Sequence, residues 1–328
     1  MPRLPRSVAL FLPGAAVLLA TETDLPARAA GLDLTLAQAS AETALPNLPP
    51  SSAPSLSSRP DHGPAAYLAH WADRARDARA SQPEWSSPLV TTTALLEQRF
   101  RLDTTFQHAG NGADTAVLDG GKGLDLIVSR TEELQLGLMP YDIRSNTASG
   151  KGQLTGFGDW PFVRFKQRLA SSPESAGNYI LSAWLQVQAP VGITALTNRA
   201  WTLLPTLGFG KGWGPFDIQG TVGAAIPTGR EGKTGTQVLS NTAFQYRFLG
   251  VLWPQVEVNW TYYPDGQRGG KNQVFLTPGL VVGRLPLARH LNLTVGAGYQ
   301  SAVAPSYRIS PLTPAYNHAW IVTSRLSF

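Results

Sequence analysis

The chain has no cysteine. That absence excludes disulfides, thiolate-bound zinc, iron–sulfur clusters and a thiol nucleophile together. Charge is also scarce: Asp, Glu, Lys and Arg make up 15% of the residues, against about 25% in a soluble domain. Nowhere do about 18 apolar residues run together, which excludes a helical membrane span. No basic run exceeds two residues and the formal charge is only +5, so a nucleic-acid surface is not indicated. What the 328 residues do hold is 32 glycines, 9 tryptophans, 9 tyrosines and 12 phenylalanines. Low charge with many aromatics and glycines fits a β-rich protein with an apolar exterior.

The N-terminus reads as an export signal. Arg3 and Arg6 precede an apolar core from Val8 to Ala20, too short to span a bilayer. Cleavage is expected after Ala20 or after Ala29, in Ala27-Arg28-Ala29, so residues 1–29 are assigned to the signal peptide. Residues 30–87 are rich in Ala, Ser and Pro. They cannot bury enough apolar surface to offset ordering and are expected to form a disordered linker in which residues 30–85 pack little against the rest. Within it, Ala65 to Ala80 lacks Pro and Gly and sets Tyr67, Leu68, Trp71 and Ala75 on one helical face. That stretch is either a plug or periplasmic docking helix, or a marginal helix in a linker.

From Leu89 onward, apolar residues recur at every second place. In 90–103, Leu96, Phe100 and Leu102 oppose Glu97, Arg99, Arg101 and Asp103. Similar alternation covers 179–189, 216–226, 252–262, 291–299 and 318–328. Period two means strands with one apolar face. The other face is rich in Ser, Gln, Thr and Gly, as a lumen wall requires. Tyr179, Trp201, Phe209, Phe216, Tyr262, Tyr263, Tyr299 and Trp320 fall at expected strand ends, as interfacial girdles do. Phe328 closes an alternating strand, which resembles the signal read by the barrel-assembly machinery of bacterial outer membranes. The fold class is therefore all-β, a closed antiparallel transmembrane barrel over 88–328. At about 20 residues per strand and connection, this length gives about 12 strands. Eleven segments are explicit: 89–103, 123–138, 158–169, 178–190, 200–210, 215–227, 236–248, 251–263, 272–284, 289–301 and 316–328. Single-chain barrels of this kind have even strand numbers, so one more strand is expected between Leu89 and Leu138.

Catalysis is not indicated. His62 and His70 lie in the linker, His108 and His290 at connections, and His318 on an apolar face near a strand end. They form no Ser-His-carboxylate set and no metal-ligand spacing. Gly208 to Gly212 reads as a turn and not a phosphate loop, because no helix follows. No metal and no cofactor is expected. The expected partners are outer-membrane lipid, the assembly machinery and a small solute, with no nucleic acid.

Charge on the inward face is the candidate site. Glu97, Arg99, Arg101 and Asp103 share one strand face; Arg164, Lys166 and Arg168 share another; Arg247 and Glu257 lie on adjacent strands. Arg or Lys facing lipid at mid-depth costs about 2–4 kcal/mol, so these side chains should point inward. They either line a cation-rich path that prefers anionic or polar aromatic solutes, or they hold a filled lumen together.

The stretches PLVTTTALLEQRFRLD (88–103), GFGDW (156–160) followed by RFKQRL (164–169), and AAIPTG (224–229) resemble the MetA-pathway of phenol degradation family of outer-membrane transporters. The resemblance covers most of 88–328 and is densest before residue 230. It departs at Ala189-Pro190-Val191-Gly192, where a Pro-Thr-Gly would match. It implies a barrel that passes small solutes, aromatic ones among them, and no defined substrate. The leading function is an outer-membrane channel or transporter. The alternative is a plugged structural or assembly barrel whose N-terminal stretch binds a periplasmic partner.

Overall fold

The computed structural model describes residues 63–120, 122–145, 153–229, 235–306 and 313–328. Two short helices come first, α1 (Pro64–Ala69) and α2 (Trp71–Ala80). The strands follow: β1 (Arg99–His108), β2 (Asp114–Leu118), β3 (Gly123–Ile127), β4 (Glu132–Gly137), β5 (Tyr141–Ser145), β6 (Leu154–Phe157), β7 (Trp160–Ser172) and β8 (Tyr179–Ala189). Then come β9 (Thr202–Trp213), β10 (Phe216–Pro227), β11 (Gln237–Tyr246), β12 (Leu252–Tyr263), β13 (Lys271–Ala288), β14 (Leu291–Ala304) and β15 (His318–Ser327).

These strands make twelve antiparallel staves. β1 pairs with β2 at one end and with β3 at the other, so β2 and β3 are halves of one interrupted stave. By the same pairing β4 and β5 form one stave, and β6 and β7 another. Pro140, in the β4–β5 break, has no N–H to give to a ladder. β15 pairs with β1 along its length, from Arg99↔Ser327 to His108↔His318, and the barrel is closed.

The faces are inverted relative to a soluble protein. On β7, Arg164 and Lys166 are 4% and 1% exposed, whereas Phe165 and Leu169 are 47% and 55% exposed. The same holds on β8, where Ser182 is buried and Leu181 and Leu185 are outside, and on β12, where Glu257 is buried and Val256 is outside. Leaving that much apolar surface in water would cost about 25 cal/mol per Å². Lipid removes the cost, and among the described residues no helix is long and apolar enough to cross a membrane, so the strands make the crossing.

One end of the barrel has turns of two to six residues (128–131, 173–178, 214–215, 247–251, 289–290). The other has connections of five to thirteen (109–113, 146–153, 190–201, 228–236, 264–270, 305–317). Short turns face the periplasm in this class. An even number of staves, an apolar belt and this loop asymmetry together make the chain a bacterial outer-membrane β-barrel.

Several sequence expectations are corrected. The missing strand does lie between Leu89 and Leu138, because segment 123–138 spans the hairpin β3–β4 with its turn at 128–131. Residues 89–98 are not strand: the wall begins at Arg99, and Leu96 is buried inside it. The helix expected over 65–80 breaks at His70; Ala75 and Ala78 are its buried positions, while Leu68 is 61% exposed. Of the described part of 30–85, residues Ala78, Ser81 and Trp85 pack on the barrel; residues 30–62 and the expected signal peptide lie outside the described residues. Gly208–Gly212 lies within β9 and not in a turn. Tyr263 turns inward, and Phe209 sits mid-strand opposite Gly220 rather than at a girdle.

If the outer face is the lipid face, Leu185→Arg at mid-height on β8 should destabilise the folded barrel by about 2–4 kcal/mol. Urea titration of folding into lipid vesicles reads this directly. An unchanged midpoint would place that face in water.

Candidate functional site

The polar interior of the barrel is occupied by the chain's own residues 82–98. This segment is irregular, so its backbone groups need side-chain partners: Gln82 serves both the N–H and the carbonyl of Leu96 from within the segment, and most of the others are met from outside it. The wall supplies them. The Glu257 carboxylate accepts the N–H groups of Leu89, Val90 and Thr91 at 2.7, 2.9 and 2.6 Å. Arg325 donates to the carbonyls of Ser87 and Pro88, Arg101 to that of Leu89, and Lys166 to that of Leu95. Ser182 donates to Ala94 O at 2.7 Å and Gln219 to Ser86 O at 2.8 Å, while Glu133 accepts Glu97 N–H at 2.6 Å. Anions hold N–H groups and cations hold carbonyls, the pairing that makes the stronger, charge-assisted bonds.

Glycine makes the room. A Cβ on Gly210 would lie 2.5 Å from the Trp85 ring, and one on Gly298 2.7 Å from Leu89 Cδ1. The plug thus presses its two large apolar side chains against bare backbone on opposite stretches of wall, on β9 and on β14. At the periplasmic end α2 continues the closure. Arg79 donates to Gln98 O at 2.8 Å and Phe328 O at 3.0 Å, and Arg168 to Ala78 O at 2.7 Å.

The nine candidate residues fall into three groups. Arg99, Arg101, Asp103, Arg164, Lys166, Arg168 and Glu257 are buried inside the barrel. Glu97 is also inside, but on the plug and not on the wall. Arg247 lies just past β11, in the turn 247–251, and pairs with Glu174 at 2.7 Å, far along the stave from Glu257, whose opposite is Ala243. The sequence reading left out Asp125 and Glu133, the acids that bind this cluster together. Arg99 meets Glu97 at 3.3 Å and Asp125 at 3.0 Å; Arg164 meets Asp125 at 3.3 Å and Glu133 at 3.4 Å; Lys166 meets Glu133 at 2.9 Å. Dividing 123–138 at Ser129-Arg130-Thr131 would have shown both acids on the polar face. With them counted, Arg99, Arg164 and Lys166 are each ion-paired inside the lumen.

Toward the outer loops the plug stops short and leaves a vestibule of about 480 Å³, floored by Leu89, Val90 and Thr92. On the outer surface near the same end, His108 Nδ1 lies 2.7 Å from Asp114 Oδ1, and the His108 ring stacks on His318 at 4.9 Å. Among the described residues no serine hydroxyl is hydrogen-bonded to either ring, and no group of three or more His, Cys, Asp or Glu is placed to hold a metal.

Removing the Glu257 charge should loosen the plug selectively. Glu257→Gln weakens three charge-assisted bonds, about 3 kcal/mol in all, so amide exchange at Leu89, Val90 and Thr91 should quicken roughly a hundredfold. Exchange in the strands should not change. Unchanged plug protection in Glu257→Gln would mean that this carboxylate does not anchor the segment.

No family model matches the chain, and no curated protein matches it. Among solved structures, it is similar to an outer membrane channel from Pseudomonas putida F1, at 13% identity over 74% of this chain and 98% of that one, with a TM-score of 0.46. It is also similar to the β domain of the Bordetella autotransporter BrkA (15% identity, 71% and 100% of the chains, TM-score 0.40). Outer membrane phospholipase A from Escherichia coli follows at 11% identity, 77% and 97% of the chains, with a TM-score of 0.37. These values carry no residue role and no activity to this chain.

Proposed function

We propose that this barrel passes small solutes across the outer membrane and that residues 82–98 gate the passage. The observation that carries the reading is the lumen itself: a polar, hydrogen-bonded interior filled by a segment that is not part of the wall, with a vestibule of about 480 Å³ beyond it. A barrel meant only to stand in the membrane needs no such space. The sequence resemblance to the MetA-pathway of phenol degradation family supports the same reading and adds aromatic compounds to the solutes worth testing. No chemical step belongs to it: the His108–Asp114 pair faces outward, away from the lumen.

A second reading, a plugged structural or assembly barrel, is favoured by the number of bonds that hold the plug. The two differ in what plug loosening does. In planar bilayers the parent protein should conduct weakly. Glu257→Gln, and Gly298→Val, which crowds Leu89 out of its seat, should each raise the open probability at least about tenfold, corresponding to about 1.4 kcal/mol. Silence from both variants, once correctly folded, would favour the structural barrel.

A further inference from the structure

We infer that the outer vestibule is a binding site for a small carboxylate, held by Lys122 and Arg164. The inference rests on the reading of the barrel as a solute pathway and specifies the solute. It follows from which polar groups around the cavity are already committed.

Two acids line the space, and both are engaged. Asp103 receives a two-pronged bond from Arg101 at 2.8–3.1 Å and a further bond from the Thr323 hydroxyl. Asp159 accepts the Asn198 N–H through both oxygens, at 2.9 and 3.1 Å. The two cations that line it are not fully engaged. Arg164 is buried and uses Nη2 on Asp125 and Glu133, but its Nε–H has no acceptor among the described residues. Lys122, in the break between β2 and β3, makes no side-chain hydrogen bond and no ion pair within 4 Å among the described residues, although it lines the cavity. A buried donor without an acceptor is costly. An entering group with two acceptor oxygens and a negative charge satisfies both cations at once, which a neutral amide or alcohol does not.

The rest of the wall suits the body of such a molecule. Leu89, Val90, Leu204 and Ile321 give it apolar contacts, and Gln186 and Gln188 are neutral amides that do not compete for the charge. The site needs no overall positive lumen; it depends on local donors left without acceptors. Because Leu89 and Val90 are also the residues anchored by Glu257, a bound carboxylate touches the gate itself.

The test uses the full chain, purified in detergent micelles, with hexanoate and benzoate as probes and hexanamide and benzamide as their uncharged counterparts, read by isothermal titration calorimetry. The carboxylates should bind at least about tenfold more tightly than the amides, and Lys122→Gln should abolish that difference. Lys122→Arg should restore it, since it returns the charge at the same place. The Lys122 side chain makes no hydrogen bond among the described residues, and its backbone bond to Leu138 survives substitution, so Lys122→Gln is not expected to disturb folding; heat-modifiable migration on gels checks this. Equal binding of carboxylates and amides, an unaltered preference in Lys122→Gln, or no binding of either class would each overturn the proposal. Bilayer conductance of the plug-loosened Glu257→Gln protein is measured separately, so a failed site with measurable passage is distinct from a failed transport reading.

Discussion

A stretch of irregular backbone lies at membrane depth, and everything inside the barrel answers to that. Residues 82–98 have neither helix nor ladder to bond their own N–H and C=O groups, and no bulk water is available to replace them. The wall therefore carries ionised side chains at the places where the plug presents its peptide groups. Glu257 collects three successive N–H groups on one carboxylate, and Arg325 spans two successive carbonyls. Removing one partner leaves a charge and a peptide group unsatisfied together, so the plug and the wall are a single polar unit.

The same unit explains why so many lysines and arginines can be buried. Arg99, Arg164 and Lys166 form a chain with Asp125, Glu133 and Glu97, in which Asp125 and Glu133 are each shared between two cations and Glu97 ends the chain on Arg99. Buried ion pairs of this kind contribute little net stability compared with an apolar core. Here the apolar contacts inside are confined to small clusters of plug and wall side chains, around Leu96, Trp85 and Leu89, because most of the large apolar side chains of the wall face lipid. The charges keep one arrangement of the lumen, with the plug seated.

Seating the plug also depends on what the wall lacks. Side chains at 210 and 298 would collide with Trp85 and Leu89, and these glycines allow two bulky groups to lie flat on the sheet. The plug is thus held by directional bonds along its backbone and by shape at two anchor points.

The barrel was legible in the sequence because period-two alternation is a local property: which face a residue occupies depends on its parity along the strand. Val256 outside and Glu257 inside, or Phe165 outside and Lys166 inside, follow from that rule alone. The loop asymmetry followed from the spacing of those segments. The plug was not legible. Leu89 to Leu96 is apolar and short, like a strand, and nothing local distinguishes a segment that joins the wall from one that passes inside it. The difference is made by Glu257, about 170 residues away in the chain, and by glycines at 210 and 298 whose role appears only when Trp85 and Leu89 lie against them. Parity determines the faces of a barrel; which charges meet, and what fills the space between them, is decided by closure of the sheet, because closure alone brings the plug, β1, β7 and β12 around one lumen.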